Sequence, residues 1–484
     1  MRTGMMLLAS VTGLVVASNA GTSATLSEYF TTMTPKVIDR DYAPRFISTI
    51  PFSADLNGDG KEDLIVLGAD YPQNGATSYA PQPGRVFLGD GNGNFSAAPA
   101  TQFPVDTLRT VHPRKVLFSD FNLDGQLDMF IASHGWDASP FPGEQNRLYL
   151  SQPNGGWRDE TEQLPQLSGF SHTAASGDLS GRGLMDVIVG NGYAGQNHIL
   201  SYALLNNGSG QFTMTRQPIP VAAQQTLDLE SGHQFNGATL TDLDGDGLPE
   251  LIITGNNVSS FDKLTHSTIL WNRSGVFNDA SKTELPTSSL PFATHIDLDA
   301  QAIDANGDGL PDLVIVGTQG QPFYDGWFVQ LLLNRGDHTF VDATESNLGA
   351  DDRFGGVSGV ATRTSWPIWV KVLDYNGDGF PDFAVEYSYF LQQSQPLIFL
   401  NDGTGHFTTL KVGDFVTAGN EWMLGSAHLV PTRNGYSFIT LQLYPGSGGL
   451  LLTGLLANKP YRVHSVSTGT PSQTLKRRLK LLRQ

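Results

Sequence analysis

The sequence predicts an all-β fold: a seven-bladed β-propeller of four-stranded blades. Three observations carry this. The 484 residues hold 54 Gly and 27 Pro, and their apolar residues fall in short β-branched runs, the pattern of strands between turns. An acid-rich nonamer recurs about every sixty residues, and repetition at such a period is the mark of a repeat architecture. Behind each nonamer comes a second recurring unit: an apolar run, an Asn/Gly turn and an aromatic residue.

In chain order, residues 1–20 (MRTGMMLLASVTGLVVASNA) join Arg2, a short apolar stretch and small residues before Ala20. This is the layout of a cleaved secretory signal. Residues 21–45 read as an N-terminal extension, 46–466 as the propeller and 467–484 as a basic tail that includes KRRLKLLR. No run outside the leader is long and apolar enough for a membrane span. The expected location is therefore secreted or extracytoplasmic.

The nonamers begin at Asp55, Asp120, Asp178, Asp242, Asp304 and Asp374, and each runs into a buried-strand pattern such as Leu64–Leu67 or Leu313–Val316. The hairpin units end at Phe95, Trp157, Phe212, Phe277, Phe340 and Phe407. A seventh copy is expected from Leu429–Leu441, a nonamer region without its acids, and a hairpin around Asn458. Two hairpins per repeat give four strands. Radial closure of seven such sheets buries their faces and leaves few free edges.

Five nonamers fit D-x-[DN]-x-[DN]-G-x-x-[DE]. Oxygen side chains at positions 1, 3, 5 and 9, a carbonyl from position 7, and Gly at position 6 for the sharp turn suit Ca²⁺. The expected ligands are Asp55, Asn57, Asp59, Lys61 and Asp63; Asp120, Asn122, Asp124, Gln126 and Asp128; Asp242, Asp244, Asp246, Leu248 and Glu250; Asp304, Asn306, Asp308, Leu310 and Asp312; and Asp374, Asn376, Asp378, Phe380 and Asp382. The strand-like flanks, and an aliphatic residue where an EF-hand carries its twelfth-position Glu, set these loops apart from EF-hands. The third nonamer has Arg182 at position 5. A guanidinium there can pair with Asp178 and Asp186 in place of an ion, so no Ca²⁺ is expected in it. Five Ca²⁺ ions would bring the formal net charge from −18 to −8.

These residues resemble the FG-GAP/VCBS repeat family, which is related to the N-terminal propeller of integrin α-subunits. The resemblance covers about residues 46–466. It implies seven blades, Ca²⁺ between the first two strands of a blade, and extracellular binding or adhesion, including some carbohydrate-binding lectins.

The absence of Cys excludes disulfides, thiolate metal sites and thiol nucleophiles. The acidic balance argues against a nucleic-acid partner. A monomeric binding module for a glycan or an extracellular protein is the leading reading, and a polysaccharide hydrolase or lyase is the alternative. Its site is expected opposite the acid loops, where long connections lie on a rigid scaffold. Six to nine residues ahead of the nonamers stand His112, His172, His233, His295 and Trp366, and Trp422 has the similar place in the seventh repeat. Aromatic faces among amides and carboxylates suit sugars or peptides, and four His around one axis can also hold a transition metal. The nearby loops add Asp70, His134, Trp136, Tyr193, Asn257, Gln319, Glu386 and Tyr387. Arg335-Gly336-Asp337 spells an adhesion tripeptide, but it occupies a hairpin turn where Asn and Gly are needed anyway.

Overall fold

The structure is a computed structural model. It describes residues 29–47, 51–72, 77–104, 106–153, 155–192, 199–215, 235–255, 266–277, 281–287, 294–361, 364–388, 390–443 and 449–459. Its main sheets are seven small antiparallel blades. The second shows the plan: Pro113–Ser119, Asp128–Ser133, Arg147–Gln152 and Gly156–Asp159 pair in chain order from the axis outward. The first-to-second and third-to-fourth strand turns therefore lie on one face. The second-to-third loops and the inter-blade connections lie on the other.

The continuous apolar runs follow from burial on both faces. In Asp128–Ser133, Met129 and Ile131 pack toward Ile65 and Val86 of the first blade, while Phe130 and Ala132 pack toward Val187 and Val189 of the third. The core is thus a ring of layers between blades, and each second strand serves two of them.

The seventh blade departs from the expected boundaries. Its inner strands are His428–Thr432, Gly435–Leu443 and Leu450–Ala457. Its outer strand comes from Phe30–Thr32, which pairs antiparallel with Leu455–Ala457. Lys36–Asp39 pairs farther along the same strand. Part of the stretch expected as an extension therefore closes the ring, at the position expected for the hairpin around Asn458. Phe30 is buried against Phe415 and Phe438. The first turn of this blade is cut to Arg433 and Asn434, too short to wrap an ion. No helix of the described residues is long and apolar enough to cross a membrane.

Candidate functional site

Two opposite faces carry the chemistry. On one, the nonamers form the turns between first and second strands. Their position-6 glycines hold left-handed backbone, with φ of 79° at Gly60 and 97° at Gly379, which a Cβ would strain. The position-1 carboxylate turns inward onto the loop's amides: Asp55 accepts from the backbone of Gly58, Asp59 and Gly60. The position-7 residues Lys61, Gln126, Leu248, Leu310 and Phe380 donate backbone N–H to the position-5 acids. In the fourth loop, oxygen atoms of Asp242, Asp244 and Glu250 lie within 4.8 Å of one another.

The position-9 acid has a second task that the motif alone does not reveal. Asp382 is fully buried. It accepts from Tyr375 N at 2.8 Å and Asn401 N at 2.7 Å, tying the turn to the third strand. Asp63, Asp128, Glu250 and Asp312 are held in the same way. Burial beside other carboxylates pushes Asp63 and Asp312 up to about 6, Glu250 to about 7 and Asp382 to about 8. In the fourth loop, where the oxygens converge, an anionic form this costly marks a donor set that fits a divalent cation. Arg182 fills the third loop instead, with Nη2 at 3.0 Å from Asp186 and Nε at 2.6 Å from Ser180; toward Asp178 it offers only its backbone N–H.

On the opposite face a cavity of about 1090 Å³ opens on the axis, with lining residues from every blade. The inner strands explain how its walls are built. Register shifts recur between Pro113 and Lys115, Ser171 and Thr173, Asp297 and Asp299, and Pro367 and Trp369. The extra residues are Arg114, His172, Leu298 and Ile368. Each stands six before its nonamer, and each lines the funnel together with Asn236 at the matching place in the fourth blade. A bulge re-aims a side chain that simple alternation would send elsewhere. The result is two-sided. Arg114, Asp137, His172 and Asn236 make a polar sector, while Leu298, Tyr324, Trp366, Ile368, Trp369 and Trp422 make a mainly apolar and aromatic one, interrupted by Glu421 and Gln442.

Among the expected ligand residues, His112, His172, Trp366 and Trp422 line the funnel. Trp422 is 47 % exposed. His295 lies outside this lining; its Nδ1 pairs with Asp297 at 2.8 Å, and that carboxylate more than offsets burial and raises its pKa. His233, Tyr193 and Asn257 fall outside the described residues. Among the described residues, the expected histidines do not gather about one ion, because His172 and His295 are engaged elsewhere. His172 Nε2 lies 3.1 Å from Arg114 Nη2. Of the neighbouring-loop residues, Asp70 is buried and paired with Arg45 at 2.9 Å. Sequence reasoning missed Arg114, Trp369 and Tyr324. The repeated offset of six was the available signal for Arg114, whereas Trp369 stands five before Asp374 and Tyr324 lies in a second-to-third-strand connection, so neither shares it.

One buried group resembles a hydrolytic relay. Ser53 Oγ is 2.9 Å from His428 Nε2, and His428 Nδ1 is 3.1 Å from Glu386. Lys371 Nζ, however, sits 3.0 Å from Glu386 and 3.2 Å from His428 Nε2. A relay needs the imidazole to take up a proton, and both burial and this ammonium oppose that. The group joins the sixth, seventh and first blades where the ring closes. Arg335-Gly336-Asp337 forms a tight turn on the acid-loop face, with Arg335 N bonded to Thr339 O at 3.0 Å.

A family model described as FG-GAP-like repeat matches residues 55–131, 120–189, 178–253, 242–315 and 304–385. No curated protein sequence matches the chain. Among solved structures, a crystal structure of BBS1N in complex with ARL6DN, soaked with lead, is similar over 88 % of this chain and 96 % of that one, at 8 % identity and a TM-score of 0.38. The structure of a Photorhabdus luminescens Tc holotoxin pore with a TccC3 mutation is similar over 86 % of this chain and 19 % of that one, at 15 % identity and a TM-score of 0.32.

Proposed function

The chain belongs to the FG-GAP-like repeat family, and from that membership we propose that it is a secreted, calcium-stabilised binding module that receives a glycan in its axial funnel. The propeller supports a binding or adhesion-type role. The observation that carries the ligand class is the two-sided wall. Sugar rings present an apolar C–H face and a polar hydroxyl edge, which matches the aromatic sector of Trp366, Trp369 and Trp422 against the polar sector of Arg114, His172 and Asn236.

In this reading the acid loops would hold Ca²⁺ through Asp55, Asn57, Asp59 and Asp63 and their counterparts. The ion would neutralise clustered carboxylates and stiffen the face that anchors each blade. Extracellular modules of this kind work at roughly 10⁻⁴–10⁻³ M Ca²⁺, so the role is structural and the funnel side chains do the recognising.

The test is a glycan-array screen of the calcium-loaded full chain beside Trp422→Ala. Glycan hits that weaken by roughly thirtyfold in the variant, about 2 kcal/mol for an aromatic anchor, would support the reading. An array without hits would overturn the glycan assignment and direct the search to an extracellular protein. Hits unaffected by the substitution would place recognition away from the funnel.

A further inference from the structure

We propose that His112, His134 and Asp137 form a divalent transition-metal site at the polar edge of the funnel, separate from the oxygen-only loops on the opposite face. One donor atom from each of the three lies within 4.8 Å of the others. Two imidazole nitrogens and a carboxylate are the donors of zinc and its first-row neighbours, whereas calcium prefers oxygen alone.

The hydrogen-bonding around the rings favours this use. His134 Nδ1 faces Gly135 O at 2.9 Å. A carbonyl there requires the proton on Nδ1, which leaves the Nε2 lone pair free and the ring oriented, the usual outer-shell arrangement for a metal-bound histidine. His112 is 5 % exposed and its buried Nδ1 has no hydrogen-bond partner. A buried polar atom left bare is costly, and a cation would satisfy it. Ring packing fixes both imidazoles: His112 meets Tyr71 at 4.3 Å and His134 at 3.9 Å, and His134 stacks on Phe170 at 4.2 Å.

The surroundings bound the site. His172 is not a ligand, because Arg114 approaches its Nε2 at 3.1 Å and its Nδ1 faces Asn236 O at 3.4 Å. Arg114 is the described cation that faces the set. Its charge works against an ion, and Asp137 supplies the opposing charge. Metal–donor lengths of about 2.0–2.2 Å place tetrahedral donors about 3.4 Å apart, so the group must draw in. Asp137 is exposed and is the member placed to move. Three protein ligands leave a fourth position toward the funnel, where His112 and Asp137 both form part of the wall. This inference concerns the metal alone and does not depend on the glycan assignment.

The experiment uses the full chain, stripped with chelator and returned to millimolar Ca²⁺. Co²⁺ is titrated with visible absorbance as the readout, and Zn²⁺ by calorimetry. The expected result is one equivalent of either ion, with an absorbance typical of nitrogen donors, and affinity at least about tenfold lower in Asp137→Asn and in His112→Asn. Asp137→Asn should keep the wild-type melting temperature, because the side chain is exposed, so it decides the matter even if the buried His112 variant fails to fold. Absence of a nitrogen-type absorbance, uptake abolished by excess Ca²⁺, or affinity unchanged in Asp137→Asn would overturn the site.

Discussion

Asn401 is the most instructive residue to remove. It is 2 % exposed and ends the third strand of the sixth blade. Its Nδ2 donates to Ala305 O at 2.9 Å, in the acid loop of the preceding blade, and to Pro381 O at 3.1 Å in its own loop. Its Oδ1 accepts from Gly403 N at 3.0 Å and from Gly405 N at 3.3 Å. Asn206, Asn272 and Asn334 repeat the arrangement, with Nδ2 bonds to Phe121 O, Leu179 O and Leu243 O. One amide thus locks a blade's outer hairpin to its own acid loop and to that of its neighbour. Asn401→Ala strands two carbonyls, one buried and one partly so, and two N–H groups. At about 1 kcal/mol for each hydrogen bond lost, and more for a group left bare, the expected cost is about 3–4 kcal/mol. Asn401→Asp keeps the shape but turns a carboxylate oxygen toward two carbonyls near Asp382, so it should cost more than the alanine variant at neutral pH. Urea unfolding followed by tryptophan fluorescence in calcium-containing buffer measures both. A loss below about 1 kcal/mol in Asn401→Ala, within the range of an ordinary surface change, or an Asp variant no worse than the Ala variant, would refute the clamp.

Three further outcomes are expected. Phe30→Ala should cost about 3 kcal/mol in urea unfolding, as for a core phenylalanine, because Phe30 anchors the strand that closes the ring; a loss under about 1 kcal/mol would show that the closure is peripheral. Arg182→Asp restores an acid at position 5 of the third loop and should raise the number of Ca²⁺ ions bound per chain by one in equilibrium dialysis, whereas an unchanged count would refute the substitution of guanidinium for ion. Glu386→Gln should destabilise the protein most at neutral pH. Burial raises the Glu386 pKa, but Lys371 at 3.0 Å helps to hold it below its ordinary 4.5. Its stabilisation is therefore present above that ordinary value and lost as the pH falls through the lowered one. Denaturation midpoints of wild type and variant should converge in acid, and a gap independent of pH would contradict the charge pairing.

Much of the ring was legible because its signals are local. Each nonamer places acids and glycines within nine residues, and Arg182 announced its exception in the same span. The long-range features were not. Phe30–Thr32 carries no repeat mark, yet it pairs with Leu455–Ala457 at the other end of the chain. The asparagine of the LLNN, LWN, LLLN and FLN runs is visible as a recurrence, but the partner of Asn401 lies 96 residues earlier. His112, His172, Trp366 and Trp422 were singled out by their place ahead of each repeat, and Trp369 was missed. Their directions were not legible, because a bulge at Arg114, His172, Leu298 and Ile368 resets the alternation on which strand reading depends. The gathering of His112 with His134 and Asp137 was hidden for a related reason, since it joins the start of an inner strand to the loop after its partner.

The most direct test of a calcium-stabilised propeller is to count the ions. Equilibrium dialysis of the chelator-stripped full chain at millimolar Ca²⁺, paired with thermal melts of the same samples, should give five Ca²⁺ per chain and a melting temperature that rises with Ca²⁺, because ions that bind only the folded state stabilise it. A chain that binds none after verified removal of metal, and melts at the same temperature with and without Ca²⁺, would contradict it.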